Sequence, residues 1–181
     1  MSFTLRLATP ADVPALRDLI ARSARALSAG YYSNAQIEGA LQGAFGVDAS
    51  LIEDGTYFAV VTEEGGLVAC GGWGRRRTLF GASSRPERDE SFLDPRTEAA
   101  RIRAFFVDPA HARHGLARML LEHSESEARR AGFATMELMA TLPGIPFYER
   151  CGYVRGASLD YPVPGGAQLP MVAMHKRIVG D

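Results

Sequence analysis

The sequence predicts a single α/β domain built on a mixed, strongly twisted sheet of about seven strands with about four helices around it. Three observations carry this. Seven short stretches are rich in apolar, β-branched and aromatic residues and are bounded by turn residues. Two of them, Thr56 to Thr62 and Leu67 to Trp73, are separated only by Glu63-Glu64-Gly65-Gly66, which reads as an antiparallel hairpin. A third, Ala99 to Val107, runs through a short loop into an amphipathic segment and then into Phe133 to Ala140. That order of strand, helix and strand requires a right-handed crossover and a parallel pair.

In chain order, Phe3 to Leu7 alternates like a strand, and Thr9-Pro10-Ala11-Asp12 supplies a cap and a proline for a following helix. Val13, Leu16, Leu19 and Ile20 fall at helical spacing, and Gly30 ends the segment. Ser33 caps a second helix carrying Ile37, Ala40 and Leu41, closed by Gly43 and Gly46. Tyr31 and Tyr32 read as packing residues, with the wall of a substrate pocket as the alternative. Around Trp73, Gly71, Gly72 and Gly74 mark a bulge or a close backbone approach. Arg75-Arg76-Arg77 reads as a solvated strand end; the alternative is a patch for an anionic substrate or partner. Thr78 to Thr97 is a long polar loop containing Pro86 and Pro95, a candidate part of a substrate mouth, with an idle loop as the competing reading.

Alternation along Ala99 to Val107 puts Arg101, Arg103, Phe105 and Val107 on one face and Ile102, Ala104 and Phe106 on the other. The two arginines either lie near an exposed end or point into a cleft and bind an acidic group. The helix from Arg113 to about Ala131 buries Leu116, Met119, Leu120 and His123, leaves Glu122, Glu125 and the Ser124 and Ser126 pair on its polar side, and ends at Gly132. Pro143, Gly144 and Pro146 lead to a short helix within Phe147 to Cys151, closed by Gly152. Val154 to Leu159 and Leu169 to Ile178 are closing strands around Pro164-Gly165-Gly166. No second domain is expected.

The chain has 181 residues, of which 46% are hydrophobic and 23% charged, and this is long enough and apolar enough for a full core. A formal net charge of -1 argues against a nucleic acid as partner. Cys70 and Cys151 are far apart with no CxxC companion, and no long apolar run follows the N-terminus. A reducing cytoplasm is the expected setting, and no membrane span is expected.

The stretch from Ile102 to Leu121 carries the chemistry. Its strand stops at Asp108-Pro109 and a helix begins close to Arg113, so free N–H groups and the positive end of a helix dipole meet the strand's C-terminal end. Gly115 and Ala117 let an anion approach the backbone, and Arg113 and Arg118 add charge. The dipole supplies only about 0.3–1 kcal/mol, so N–H bonds and arginines must carry most of the affinity.

With V107-D-P109 followed by A112-R-H-G115-L-A117, and with F147-Y-E-R-C-G-Y153 further on, the chain resembles the GNAT N-acetyltransferases. The resemblance implies an acetyl-CoA-dependent transfer to a small-molecule amine or a peptide. It implies that the strands ending at Val107 and Ala140 splay, that backbone groups of Phe105, Phe106 and Val107 bind the pantetheine arm, and that Arg113, His114, Gly115, Leu116, Ala117 and Arg118 hold the pyrophosphate. Thr141 stands where many members have an Asn touching the cofactor. Tyr148 falls on the usual general acid, which protonates the leaving thiolate. A homodimer is common among such proteins.

Ala112 and Thr141 depart from the family's pattern, and Arg101 stands where some members carry a glutamate base. Glu98, Asp94, His111 or a water chain remain as bases. Arg101 and Arg103 suggest an acceptor amine that also bears a carboxylate or phosphate. Metal binding is not expected, because no acidic or thiol ligand completes a set with His111 and His114. Cys151 has no histidine to activate it. A non-catalytic acyl-CoA-binding module with the same fold is the rival reading, and a donor longer than acetyl stays open.

Overall fold

The computed structural model describes residues 2–84 and 88–179, so Pro86 of the expected loop lies outside the described residues. The chain opens with β1 (Phe3–Leu7), α1 (Val13–Leu27), α2 (Asn34–Ala40) and α3 (Ala49–Glu53). The Asp12 carboxylate accepts the Thr9 N–H at 2.8 Å and pairs with both terminal nitrogens of Arg6, fixing the step from β1 into α1. Ser33 and Gln36 form a reciprocal capping box at α2, satisfying two N–H groups that the helix leaves free.

The hairpin is β2 (Tyr57–Thr62) and β3 (Leu67–Gly74), followed by β4 (Ala100–Val107), α4 (Leu116–Arg130), β5 (Thr135–Thr141), α5 (Ile145–Arg150), β6 (Val154–Pro162) and β7 (Gln168–Arg177). The seven strands form one sheet in the order β1-β2-β3-β4-β5-β7-β6. Every pairing is antiparallel except β4 with β5. The sheet is thus mixed, as the sequence predicts, and the described residues hold five α-helices where about four are expected. The extra one, α3, has only five residues, too short for a period to register, and is fixed by the Asp48 carboxylate accepting the Ser50 N–H at 3.0 Å.

One apolar cluster packs α4 and α5 against one face of the sheet, through Leu116, Leu120, Leu121, Ala128 and Ile145. A second packs α1, α2 and α3 against the other, through Leu16, Leu19, Ile20, Ile37 and Leu51. Among the described residues no helix is long and apolar enough to cross a membrane.

Strand β4 differs from simple alternation. Its register against β3 runs from Gly72 opposite Arg103 to Cys70 opposite Phe106, so β4 carries one extra residue. Ala104 takes that strain with φ of 52°, rare for a residue with a Cβ. The buried Tyr57 hydroxyl donates to the Ala104 carbonyl at 2.9 Å and holds the bulge. Beyond the bulge the faces exchange. Phe105 and Val107 join the α4 side with Ile102, whereas Ala104 and Phe106 pack on the α1 side, correcting the expected grouping with the arginines. Gly71 is a close approach: a Cβ there would lie 2.3 Å from the Phe105 ring.

Helix α4 begins at Leu116, and its buried face includes Ser124 and Glu125, both expected on the polar side. Glu125 accepts the Tyr153 hydroxyl at 3.0 Å and the ammonium of Lys176, the chain's single lysine, at 2.9 Å, so its charge is buried with partners.

Candidate functional site

Strands β4 and β5 pair only through Ala100 opposite Met136 and Arg101 opposite Glu137, and then diverge. A cleft of about 250 Å³ fills the gap. Its walls come from both sheet faces: Ile102, Phe105, Leu138 and Tyr148 from the α4 side, and Phe45, Phe106, Met139 and Met171 from the α1 side. The gap is therefore a passage through the sheet, opened because the bulge turns β4 away from its parallel neighbour.

Of the residues expected at the site, Phe105, Phe106, Val107, Ala117, Thr141 and Tyr148 all line this cleft. Tyr148 is 8% exposed, its ring packed edge-on against Phe147 and Tyr153. Burial, and secondarily Cys151, raises its phenol above the ordinary value. Among the described residues its hydroxyl has no hydrogen-bond partner. Gly144 seats it: a Cβ there would come within 3.4 Å of the tyrosine ring and 3.3 Å of Thr141 Oγ1. The Val107 N–H, expected to be open, is met by Ser23 Oγ of α1 at 3.2 Å.

At the mouth, Arg113 and Gly115 take left-handed conformations, with φ of 68° and 78°. The first bond of α4 runs from the Met119 N–H to the Gly115 carbonyl at 2.9 Å, leaving the N–H groups of Leu116, Ala117 and Arg118 without an intrahelical partner. Leu116 is buried, so the turn is anchored. Arg113, His114 and Arg118 are exposed around it, and Arg118 is 3.8 Å from Glu122. Three N–H groups, a glycine with open space over its Cα and two exposed guanidiniums form a cradle with the chemistry to take an anion.

The two β4 arginines do not line the cleft. Arg103 is 2% exposed and donates to Asp48 at 2.6 Å and to the carbonyls of Thr78 and Gly81 at 3.0 and 2.8 Å. Arg101 pairs with Glu137 of β5 and with the Ala99 carbonyl. Both readings made from sequence, a solvated end and an anion-binding cleft, give way to internal pairing. Arg75-Arg76-Arg77 is likewise used within the fold: Arg76 pairs with Asp54 at 2.7 Å and Arg77 with Glu98 at 2.7 Å.

Sequence reasoning missed Asp48. Fully buried, it accepts from Arg103 and from Arg88, whose Nη atoms also donate to the Gly81 and Ala82 carbonyls. Burial alone raises a carboxyl's pKa, but the two guanidiniums and Ser50 outweigh it and hold Asp48 below its ordinary value. This clamp seats Leu79, Phe80 and Gly81 against the cleft, so this part of the long loop lines it.

None of the suggested bases reaches the cleft lining. Glu98 is held by Arg77 and the Asp94 N–H, Asp94 by Arg96, and His111 packs edge-on against Phe3. Among the described lining residues the polar side chains are Ser23, Ser28, Thr141 and Tyr148, with no carboxylate, imidazole, amine or guanidinium. Cys70 is buried, its thiol pushed up to about 12 by burial, and Cys151 does not line the cleft. Among the described residues no group of three or more His, Cys, Asp or Glu is placed to hold a metal ion.

Comparison with known proteins places this geometry. The model of the Acetyltransferase (GNAT) family matches residues 17–153. A GCN5-related N-acetyltransferase structure from Rhodopseudomonas palustris superposes with a TM-score of 0.73 at 18% identity, over 98% of this chain and 96% of that one. Salmonella typhimurium yncA, solved with its cofactor acetyl-CoA, gives 0.65 at 19% identity, over 100% and 96% of the two chains. PaiA N-acetyltransferase from Thermoplasma acidophilum, in complex with coenzyme A, gives 0.64 at 13% identity, over 98% and 99%. Among curated proteins none matches this chain. The match spans both motifs, the parted β4–β5 pair and the cradle at α4, and on it the chain belongs to the GNAT acetyltransferase family.

Proposed function

We propose that this chain transfers an acetyl group from acetyl-CoA to a primary amine by direct attack. The observation that carries the reading is the cleft itself, a passage through the sheet with an unpartnered tyrosine hydroxyl in its wall and an anion cradle at one mouth. The cradle fits a pyrophosphate, with the N–H groups of Leu116 to Arg118 bonding its oxygens and Arg113 and Arg118 supplying charge. The parted edge of β4 around Phe105 to Val107 fits an extended amide-bearing arm as an added strand, with Ser23 yielding the Val107 N–H when the arm enters. Thr141 and Ala117 border the arm where it narrows toward the thioester.

The amine approaches from the α1 side. Its nitrogen attacks the thioester carbonyl carbon, an N–C bond forms, the C–S bond breaks, and the electron pair leaves on sulfur. Tyr148 donates to that sulfur as general acid, and the proton released from the amine nitrogen restores the phenol through solvent. With its pKa raised by burial, the hydroxyl is fully protonated at neutral pH, so the donor is always present. A thiol has a reference pKa of about 8.5, so donation begins as a strong hydrogen bond and completes only as the amine's proton departs. Direct transfer is favoured because neither cysteine is placed as an acyl acceptor.

The test is thiol release from acetyl-CoA with a panel of primary amines, with the acetylated amine identified by mass spectrometry. Equimolar thiol and N-acetyl product are expected. Tight acetyl-CoA binding without thiol release for any amine would favour a non-catalytic acyl-CoA-binding module.

A further inference from the structure

We infer that the acceptor amine is carried on an uncharged, apolar body, such as an arylalkylamine or a long alkylamine, rather than on an amino acid or a polyamine. The inference deepens the acetyl-transfer reading and rests on it. The α1 side of the passage is walled by Leu27, Phe45, Phe80, Phe106, Met139 and Met171. Phe45 meets Phe106 edge-to-face at 5.8 Å, and Phe80 meets Tyr161 in the same way at 5.0 Å, which makes the wall aromatic and rigid. The Asp48–Arg88–Arg103 clamp holds Leu79 to Gly81 in place, so this wall is preformed.

Charge complementarity decides the chemical class. The described lining offers no side chain of either charge, and the nearby guanidiniums of Arg101 and Arg103 are already paired with Glu137 and Asp48. A carboxylate, a phosphate or a second ammonium on the acceptor would lose its water and gain no counter-charge. An aryl or alkyl body instead gains burial against aromatic and methionine surface. The same surroundings act on the reacting nitrogen. Burial disfavours an ammonium, so the amine enters as the neutral nucleophile without a basic side chain beside it. This accounts for a lining that carries an acid but no base.

The experiment measures equilibrium binding by calorimetry and, separately, thiol release from acetyl-CoA. It uses the full chain, loaded with coenzyme A for binding, and three probes: phenethylamine, its α-carboxylated counterpart phenylalanine, and spermidine. Phenethylamine is expected to bind at least about tenfold more tightly than either of the others, since each of those brings an uncompensated charge. The preference is expected to persist in a variant carrying Arg85→Ala and Glu87→Ala, two residues outside those described. Equal or tighter binding of phenylalanine or spermidine, or no binding of any probe, would overturn the inference. Selective binding of phenethylamine with no thiol release would support the apolar site and overturn the acetyl-transfer reading, so the two failures are distinct.

Discussion

Replacing Asp48 by Asn should strongly destabilise the domain. The carboxylate is fully buried and accepts Arg103 Nη2 at 2.6 Å, Arg88 Nη2 at 2.8 and 2.9 Å, the Ser50 hydroxyl at 2.7 Å and the Ser50 N–H at 3.0 Å. Asparagine keeps the volume but removes the charge, leaving the buried Arg103 guanidinium without a counter-ion and Arg88 with only the exposed Glu90. Breaking a buried pair from one side costs about 3–5 kcal/mol. In a domain of this size 1 kcal/mol moves the melting temperature by roughly 2–4 °C, so a fall of about 6–20 °C is expected by calorimetry. The acid limb should change as well. Because the folded state holds Asp48 below its ordinary value, its contribution is fully present above the unfolded carboxyl pKa of about 4 and is lost as pH falls through the lower folded value. The Asn variant should lack that step. A melting temperature within about 2 °C of the parent, or an unchanged acid limb, would refute the clamp.

Further outcomes follow from individual contacts. Gly71→Ala should cost about 1–3 kcal/mol in urea unfolding, because its Cβ would fall 2.3 Å from the Phe105 ring across the bulge. The double variant Arg113→Ala, Arg118→Ala should raise KM for acetyl-CoA by about tenfold or more while leaving KM for acetyl-pantetheine, which lacks the pyrophosphate, nearly unchanged. Arg103→Ala should raise KM for charged and uncharged amines alike, since it acts through the loop carrying Gly81 rather than on a ligand's charge; a rise confined to carboxylated amines would contradict this.

The strand-turn-helix from Ile102 to Leu121 and the hairpin around Gly65 are legible in the sequence because local patterns determine them. An apolar run, a proline stop, a glycine at a left-handed position and an amphipathic face each leave a mark within a few residues. The Tyr148 motif is legible for the same reason. The bulge is not. Ala104 has no local signature for φ of 52°, and a single extra residue moves every later side chain of β4 to the other face. Helix α4 starts at Leu116 rather than Arg113, because left-handed residues at Arg113 and Gly115, on either side of His114, delay the helix. The fate of the arginines was hidden by distance along the chain: Asp48 lies 55 residues before Arg103, and Glu137 approaches Arg101 only through the parallel crossover. Pairing of that kind is set by topology, which no window of sequence contains.

The measurement closest to the central claim is steady-state thiol release by Tyr148→Phe against the parent chain, with an amine that the parent acetylates. Removing the hydroxyl takes away the proton donor and leaves the packing of a ring that is already buried. The account predicts a fall in kcat of about 10²-fold or more with KM for acetyl-CoA little changed. An unchanged kcat would contradict the role of the tyrosine, and a loss seen only as a higher KM for acetyl-CoA would reduce it to part of the cofactor wall.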